Sequence, residues 1–302
     1  MIVRIWGTRG SYPVAHASML RYGGNTTCVE VVAEGRHIIL DAGTGLRMLG
    51  EALGHSCMSL RQIDLLITHT HWDHIIGFPF FAPLFDPALK LDIYGLARTQ
   101  SSLRTTLAGA LSDPLLPLSM DDLRAQINFF EIGAGHCFEL GPVQVRTALA
   151  NHPYRALAYR LETREGVLAF IPDTGPFHTV LFGEERIEWT GQPTARSQSE
   201  LRELAAMKAA ILELAYRADW LIYDAQFTDA QYARFPHWGH SSASQAREIA
   251  EEAQVRQLIL FHHDPHRTDE ELDRIVAEQQ ALAAPGLLVT AAFEGMELRR
   301  TP

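Results

Sequence analysis

Apolar positions in the first half of the chain recur in short runs that are rich in β-branched residues and separated by glycine turns, a pattern typical of β-strands. Residues 63–68 are apolar on both faces, which predicts a strand in the interior of a sheet. The predicted strands lie at residues 2–6, 27–32, 37–40, 63–68, 91–94, 127–131, 143–149, 155–162 and 167–171, with helices at 44–53 and near 97–111.

The second half of the chain alternates between helices and strands. A helical stripe is formed by Leu201, Leu204, Ala205, Ile211, Leu212 and Ala215. Ser242-x-x-Gln245 and Thr268-x-x-Glu271 have the spacing of capping boxes and open two further helices. Strands are predicted at 220–223, 257–261, 286–290 and 296–298. Strands that cluster first and then alternate with helices predict an α/β fold with two sheets packed face to face and helices outside.

Composition and charge narrow the class of protein. Hydrophobic residues make up 47% of the 302 residues and charged residues 21%, which excludes a disordered or collagen-like chain. The net charge of -10 disfavours a nonspecific nucleic-acid binder, which needs positive charge. We expect a single domain over 1–302 with a mobile excursion at about 176–200.

The location of the protein is also an expectation from sequence. The longest uncharged apolar run, residues 75–85, contains two prolines and is too short to cross a membrane. The first residues lack the pattern of a secretory signal. Cys28, Cys57 and Cys137 are widely spaced and are expected to be free thiols in a reducing cytoplasm.

The motif His69-Thr-His71-Trp-Asp73-His74 follows the predicted interior strand and supplies four candidate ligands for divalent metals. Four ligands from one short loop cannot all reach one ion in good geometry. Alternate residues of an extended loop point in opposite directions, so we expect His69 and His71 to face one ion and Asp73 and His74 a second. Each ion then needs ligands from elsewhere in the chain.

Further candidate ligands follow other predicted strands. His152, Asp173 and the adjacent pair His262 and His263 each come directly after an apolar strand. A lone histidine at a strand end is more often a structural group than a ligand. Several such residues together with the histidine-rich motif favour a metal site, in which the carboxylate of Asp173 could bridge two cations.

The order of these motifs resembles the metallo-β-lactamase superfamily, and most closely its ribonuclease Z-like phosphodiesterase branch. Trp6-Gly-Thr-Arg-Gly-Ser-Tyr-Pro near the start and Gly239-His240-Ser-Ser near the end resemble further motifs of that branch. The resemblance implies an αββα sandwich with a dinuclear site that usually holds zinc and sometimes manganese or iron. By position, it implies a first ion held by His69, His71 and His152, a second held by Asp73, His74 and His262, and a bridge through Asp173. His263 remains an alternative to His262.

The same resemblance implies an acid/base pair, His240 oriented by Asp224, although the branch usually carries glutamate at the second position. The alternatives are a turn aspartate and a helix-capping histidine. Together with Asp73, this pair makes up the expected catalytic residues. The carboxylate would raise the basicity of His240, which could protonate a leaving alkoxide.

Other polar and aromatic residues near the motifs have less specific signals. Asp41 could accept the outer N–H of a ligand histidine or simply form a turn. Arg9 could contact a substrate phosphate or be solvated at the surface. Trp72 and Trp238 could stack on a base, or they could form part of the core or the wall of a pocket.

The segment between His152 and Asp173 is filled by two predicted strands and a turn, which leaves no room there for the long arm of ribonuclease Z proteins that cut precursor tRNA. We therefore expect a metal-dependent phosphodiesterase acting on small phosphodiesters, above all cyclic nucleotides or related cyclic phosphates. The alternatives are a ribonuclease Z-like nuclease, a thioesterase or lactonase of the same fold, and a noncatalytic metal-dependent sensor. No polymeric nucleic acid and no membrane are expected as partners, and the resemblance favours a homodimer.

Overall fold

The chain folds into two seven-stranded sheets. The computed structural model describes residues 1–55, 60–97, 101–112, 116–181 and 197–300. The first sheet has the order β14-β1-β2-β3-β4-β5-β6, and the second has the order β13-β12-β11-β10-β9-β8-β7. In chain order, the strands are β1 Ile2–Gly7, β2 Cys28–Ala33, β3 Arg36–Leu40, β4 Gln62–Leu66, β5 Lys90–Gly95, β6 Gln126–Glu131, β7 Cys137–Leu140, β8 Val143–Ala150, β9 Ala156–Thr163, β10 Gly166–Ile171, β11 Trp220–Asp224, β12 Gln257–Phe261, β13 Leu288–Ala291 and β14 Glu297–Arg299.

Helices cover the outer faces of the sheets. They are α1 Gly45–His55, α2 Trp72–Ile75, α3 Leu103–Gly109, α4 Gln198–Ala215, α5 Asp229–Tyr232, α6 Ala243–Glu252 and α7 Asp269–Leu282, with 3-10 turns at Ala17–Met19, Phe78–Phe80, Ala82–Phe85 and Met120–Asp122. Capping boxes open α6 and α7 at Ser242 and Thr268, as the sequence predicts. No helix among the described residues is both long and apolar enough to cross a bilayer.

Three apolar clusters hold these layers together. Val3, Val31, Phe170 and Phe261 belong to the cluster between the two sheets, where each is fully buried. A second cluster packs α4 and α6 against the second sheet, and a third packs α1 against the first sheet. This arrangement confirms the predicted αββα sandwich, in which each sheet buries one face against the other sheet and one against helices.

Strand direction brings the candidate site residues to one edge of the sandwich. Strands β3 to β6 run parallel in the first sheet, and β10 to β13 run parallel in the second. The carboxyl ends of parallel strands meet at one edge of a sheet, which is where ligand-binding loops lie in α/β folds. The loops after β4, β8, β10 and β12 carry the candidate ligands.

Some elements differ from the sequence-based expectation. The short edge strand β7 and the short helices α2 and α5 were not predicted, because each has too few residues to establish a periodicity. Most of the expected excursion at 176–200 lies outside the described residues, since the description stops at 181 and resumes at 197, just before α4. We propose a single domain over 1–302, because β14 at the end of the chain pairs with β1 at its start.

Candidate metal centre

The histidine-rich motif leaves β4 and runs directly into α2. His69 and His71 precede the helix, whereas Asp73 and His74 lie within it. His69, Asp73 and His74 are buried, and His71 is partly exposed. The change from extended backbone to helix turns the second half of the motif away from the first, so that the loop and the helix present their side chains to two different points.

A first group of candidate ligands consists of His69, His71, His152 and Asp173, whose ligand atoms all lie within 4.8 Å of one another. Nε2 of His152 is 3.1 Å from Nδ1 of His71. Nε2 of His69 and Nε2 of His152 are each 3.7 Å from Oδ2 of Asp173. Ligands about 2.0–2.1 Å from a tetrahedral cation are separated by about 3.3 Å, so these spacings fit a small divalent ion.

A second group consists of Asp73, His74 and His262. Oδ2 of Asp73 is 3.1 Å from Nε2 of His262 and 3.4 Å from Nε2 of His74. Oδ1 of Asp173 is 3.3 Å and 3.1 Å from the same two nitrogens. Asp173 therefore directs Oδ2 to the first group and Oδ1 to the second, which is the arrangement that a bridging carboxylate requires.

The protonation states of His69, His152 and Asp173 suit cations, whereas Asp173 and Asp73 outweigh the effect of burial and raise the pKa of His74 and His262. Burial lowers the pKa of His69 well below its ordinary value and that of His152 to about 3, so both imidazoles are neutral, as metal ligands must be. Burial favours the neutral form of Asp173, but the imidazoles of His262 and His74 outweigh it and hold the pKa well below its ordinary value.

Buried polar atoms without hydrogen-bond partners indicate whether these residues fit a metal ion. Nε2 of His69 is buried without a hydrogen-bond partner, and Nε2 of His74 and Oδ1 of Asp173 are buried 3.1 Å apart without the geometry of a hydrogen bond. Buried polar atoms are costly when they are unsatisfied, and all three are atoms of the kind that bind Zn²⁺, Mn²⁺ or Fe. The donor set therefore fits divalent cations, as expected from the sequence.

The outer nitrogens of the candidate ligands are also engaged. Nδ1 of His74 donates to Asp41 over 2.8 Å, and Asp41 is fixed by the backbone N–H and hydroxyl of Thr68. Nδ1 of His152 donates to the carbonyl of Gly239 over 2.8 Å. Such contacts fix the tautomer that leaves Nε2 free for a metal. The structure places Asp41 where the sequence-based expectation puts it, and it adds Thr68, which the sequence analysis missed.

His240 and Asp224 lie beside the two groups. Nδ1 of His240 is 2.8 Å from Oδ2 of Asp224, the last residue of β11, and both side chains are buried. The side chain of Asp224 is shorter than that of glutamate, but it is long enough to reach His240. Burial raises the pKa of Asp224, although the charge of His240 opposes that rise. Asp224 also accepts the backbone N–H of Thr174 over 3.0 Å, which holds its carboxylate in place.

The adjacent histidines at the end of β12 point in different directions. His262 has a positive φ of 57° and turns toward Asp73 and Asp173. His263 instead donates from Nε2 to the carbonyl of Ala292 over 2.8 Å, and burial lowers its pKa to about 3. Of the two, only His262 lies within a group of candidate ligands.

Arg9 does not have the position expected for a residue that contacts substrate. Its side chain is fully buried, and Nε donates to the carbonyl of Gly23 over 2.8 Å. Nη1 donates to the carbonyls of Asp264 and Arg267 over 3.1 Å and 2.8 Å. The planar fork of Arg9 thus joins its own loop to Gly23 and to the loop after β12, while Nη2 is buried without a hydrogen-bond partner. Contact with a substrate phosphate stays a prediction that this burial does not favour.

The two tryptophans are surface residues. Trp72 is 51% exposed between His71 and Asp73, and Trp238 is 49% exposed two residues before His240. The ring of Trp238 contacts that of Phe235, with 5.0 Å between centroids. Neither indole is part of the core.

Comparisons with known proteins agree with this geometry. The family profile described as a beta-lactamase superfamily domain matches residues 36–193. The ribonuclease Z of Exiguobacterium sibiricum is 27% identical over 259 residues, which cover 78% of this chain and 82% of the relative.

Two solved structures share the fold. The metallo-beta-lactamase fold protein YhfI from Bacillus subtilis superposes with a TM-score of 0.67 at 18% identity, covering 99% of each chain. A diphosphatase from the PhnP family superposes with a TM-score of 0.65 at 17% identity, covering 99% of this chain and 98% of the other. Together with the family profile, the motif order and the paired histidine–aspartate groups, these matches lead to one conclusion: the chain belongs to the metallo-β-lactamase superfamily and is similar to the ribonuclease Z proteins within it.

Proposed function

We propose that the protein is a two-metal phosphodiesterase that hydrolyses small phosphodiesters, with cyclic nucleotides or related cyclic phosphates as the favoured substrates. The observation that carries this proposal is the position of Asp173, whose two oxygens face two separate histidine groups, with His240 and Asp224 directly beside them. Two ions that share a carboxylate can hold both the attacking and the leaving oxygen of a phosphoryl group.

The proposed ligands are those named above: His69, His71 and His152 for one ion, Asp73, His74 and His262 for the other, and Asp173 for both. Zn²⁺ is the favoured metal, with Mn²⁺ or Fe as alternatives. When bound, two such cations lower the pKa of a water molecule toward neutrality and neutralise charge on the phosphoryl oxygens.

His240 would supply the proton for the leaving group. Its Nδ1–H is held by Asp224, so the nitrogen available to the substrate is Nε2. Asp224 thus orients the ring so that a proton on Nε2 would face the leaving oxygen. Water would lose a proton to solvent as its oxygen adds to phosphorus, the bond to the leaving oxygen would break, and that oxygen would take the proton from Nε2. A hydroxyl group then forms in place of an alkoxide, on the opened ring when the substrate is a cyclic phosphate, and a proton from solvent restores Nε2–H.

Two observations support a small substrate. The hairpin between β9 and β10 turns directly between Thr163 and Gly166, so no arm projects from the segment that joins His152 to Asp173. The net charge of -10 also disfavours a long polyanion.

Ribonuclease Z activity is the second candidate. It is favoured by the curated relatives with that name, the first of which matches over 78% of this chain. The two candidates share the proposed chemistry and differ in how the substrate is bound. The expected homodimer and cytoplasmic location stay predictions.

Metal analysis and an assay with bis(p-nitrophenyl) phosphate test the proposal. We expect about two ions per chain and release of nitrophenol that is lost on chelation and restored by Mn²⁺ or Zn²⁺. Cyclic nucleotides and a precursor tRNA are then compared as substrates. Two ions without diester cleavage would contradict the phosphodiesterase, and faster cleavage of the precursor tRNA would replace the small-substrate proposal with ribonuclease Z activity.

Trp238→Ala is expected to weaken the use of cyclic nucleotides. Stacking of a base on an aromatic side chain contributes about 1–3 kcal/mol, so kcat/KM should fall about tenfold for a cyclic nucleotide and stay unchanged for a cyclic ribose phosphate without a base. Tyr216→Ala is the matched control, because Tyr216 is 48% exposed but precedes β11 at the end opposite the site. Equal losses on both substrates would show that Trp238 has no role in base stacking.

A further inference from the structure

Gln226 contacts the outer nitrogen of His262. Its Oε1 lies 2.9 Å from Nδ1 of His262, and both side chains are almost completely buried, at 2% and 1% exposed. We propose that Gln226 is a positioning residue of the second ion site: its amide oxygen holds the proton of His262 on Nδ1 and so leaves the lone pair of Nε2 for the metal. This inference rests on the proposed two-metal site.

The tautomer of His262 matters because of what Nε2 faces. It lies 3.1 Å from Oδ2 of Asp73 and 3.3 Å from Oδ1 of Asp173. Without an acceptor at Nδ1, the single proton of a neutral imidazole would favour Nε2. There it would form hydrogen bonds to these carboxylates and block the position of a metal ion. An amide oxygen only accepts hydrogen bonds, so Gln226 favours the tautomer that can bind an ion.

The backbone of Gln226 forms a hydrogen bond through its N–H and another through its carbonyl. Its N–H donates to Oδ1 of Asp224 over 3.1 Å, and its carbonyl accepts from Nη2 of Arg267 over 3.1 Å. These two contacts fix the backbone from which the side chain extends. The backbone position of Gln226 is therefore set by contacts with Asp224 and Arg267.

Gly10 packs against the contact between Gln226 and His262. A Cβ at this position would lie 2.3 Å from Nδ1 and Cε1 of His262 and 2.9 Å from Oε1 of Gln226. Real Cβ atoms do not approach other atoms so closely, so any side chain at position 10 would displace the ring or the amide. The absence of a side chain at Gly10 allows the loop after β1 to pack directly on the pair.

The end of β11 thus orients two neighbouring imidazoles. Asp224 contacts His240, Gln226 contacts His262, and the two rings stack with centroids 4.8 Å apart. Residues two apart on an extended chain project to the same side, which explains how one strand end serves both.

The test is a calorimetric titration of metal-free protein with Co²⁺, together with its visible absorption spectrum. Gln226→Met keeps the length of the side chain and removes the acceptor. Loss of such an outer contact typically weakens metal binding about 10–100-fold, so we expect that loss for one of two ions and no change for the other. Gln226→Glu restores an acceptor and should restore the affinity and the spectrum.

Gln257→Met is the matched control, since Gln257 lies at the far end of β12 and contacts Thr290. It should bind both ions as the unchanged protein does. If Gln226→Met does not fold, Gly10→Ala provides the second variant and should weaken the same ion by displacing the ring.

Unchanged binding of both ions by Gln226→Met would overturn the inference. Equal weakening of both ions without rescue by glutamate would do the same, because it would indicate a general disturbance of β11. Failure of the unchanged protein to bind two ions would instead contradict the proposed metal centre.

Discussion

Asp173→Ala is expected to lose both metal ions together and to lower phosphodiester hydrolysis by at least about 10³-fold. The carboxylate is the residue shared by the two candidate ligand groups, with Oδ2 facing His69 and His152 and Oδ1 facing His74 and His262. Its removal takes an oxygen ligand from each group at once. A cation that stabilises developing charge contributes several kcal/mol to the transition state, which corresponds to a loss of this size.

Metal content and bis(p-nitrophenyl) phosphate hydrolysis are measured on the same preparation. Asp92→Ala is the control for the loss of a buried carboxylate, since Asp92 lies on β5 and bonds to Asn128, Gln62 and Lys90. This control should keep both ions. Retention of two ions by Asp173→Ala would refute the bridging role.

His240→Ala should separate metal binding from turnover. We expect it to keep both ions, because Nδ1 of His240 is engaged by Asp224 and His240 belongs to neither of the two proposed ligand groups, although it also lies close to Asp173 and His262. The loss of a general acid typically costs about 10²–10⁴-fold in rate. The full loss is expected on a cyclic nucleotide, whose leaving alkoxide needs a proton, and a much smaller loss on bis(p-nitrophenyl) phosphate, whose leaving group is stable as an anion.

The rate of His240→Ala relative to the unchanged protein is therefore measured on each of the two substrates, and metal content is determined in parallel. His136→Ala serves as the control, because His136 is exposed in the connection between β6 and β7. Full activity of His240→Ala on the cyclic nucleotide would show that the proton comes from another group.

The sequence predicts the outline of the site because the candidate ligands lie at strand ends. Once β4, β8, β10 and β12 are assigned, the parallel directions of their sheets bring the residues that follow them to one edge. The motif around His69 is local, so its candidate ligands can be predicted from sequence, but their separation into two pairs comes from helix α2, which was not predicted. The resemblance to a family then assigns distant residues such as His152 and His262 to the two groups.

Other features depend on contacts between distant segments, which local patterns do not encode. The arginine in the loop after β1 could be assigned equally to a substrate or to the surface, and only the packed loops show that its guanidinium bonds to the carbonyls of Gly23, Asp264 and Arg267. The contact of Gln226 with His262 was missed for the same reason. Its one sequence signal is the spacing of two residues from Asp224, which places both side chains on the same side of the strand.

The candidate ligands come from both halves of the sandwich. The motif from His69 to His74 follows a strand of the first sheet, whereas His152, Asp173 and His262 follow strands of the second. Cations bound among them would cross-link the two sheets at this edge and would stabilise the folded chain in proportion to the logarithm of metal concentration over Kd. Metal supply would then govern the lifetime of the protein as well as its rate, because chains without metal would open more often and be degraded sooner.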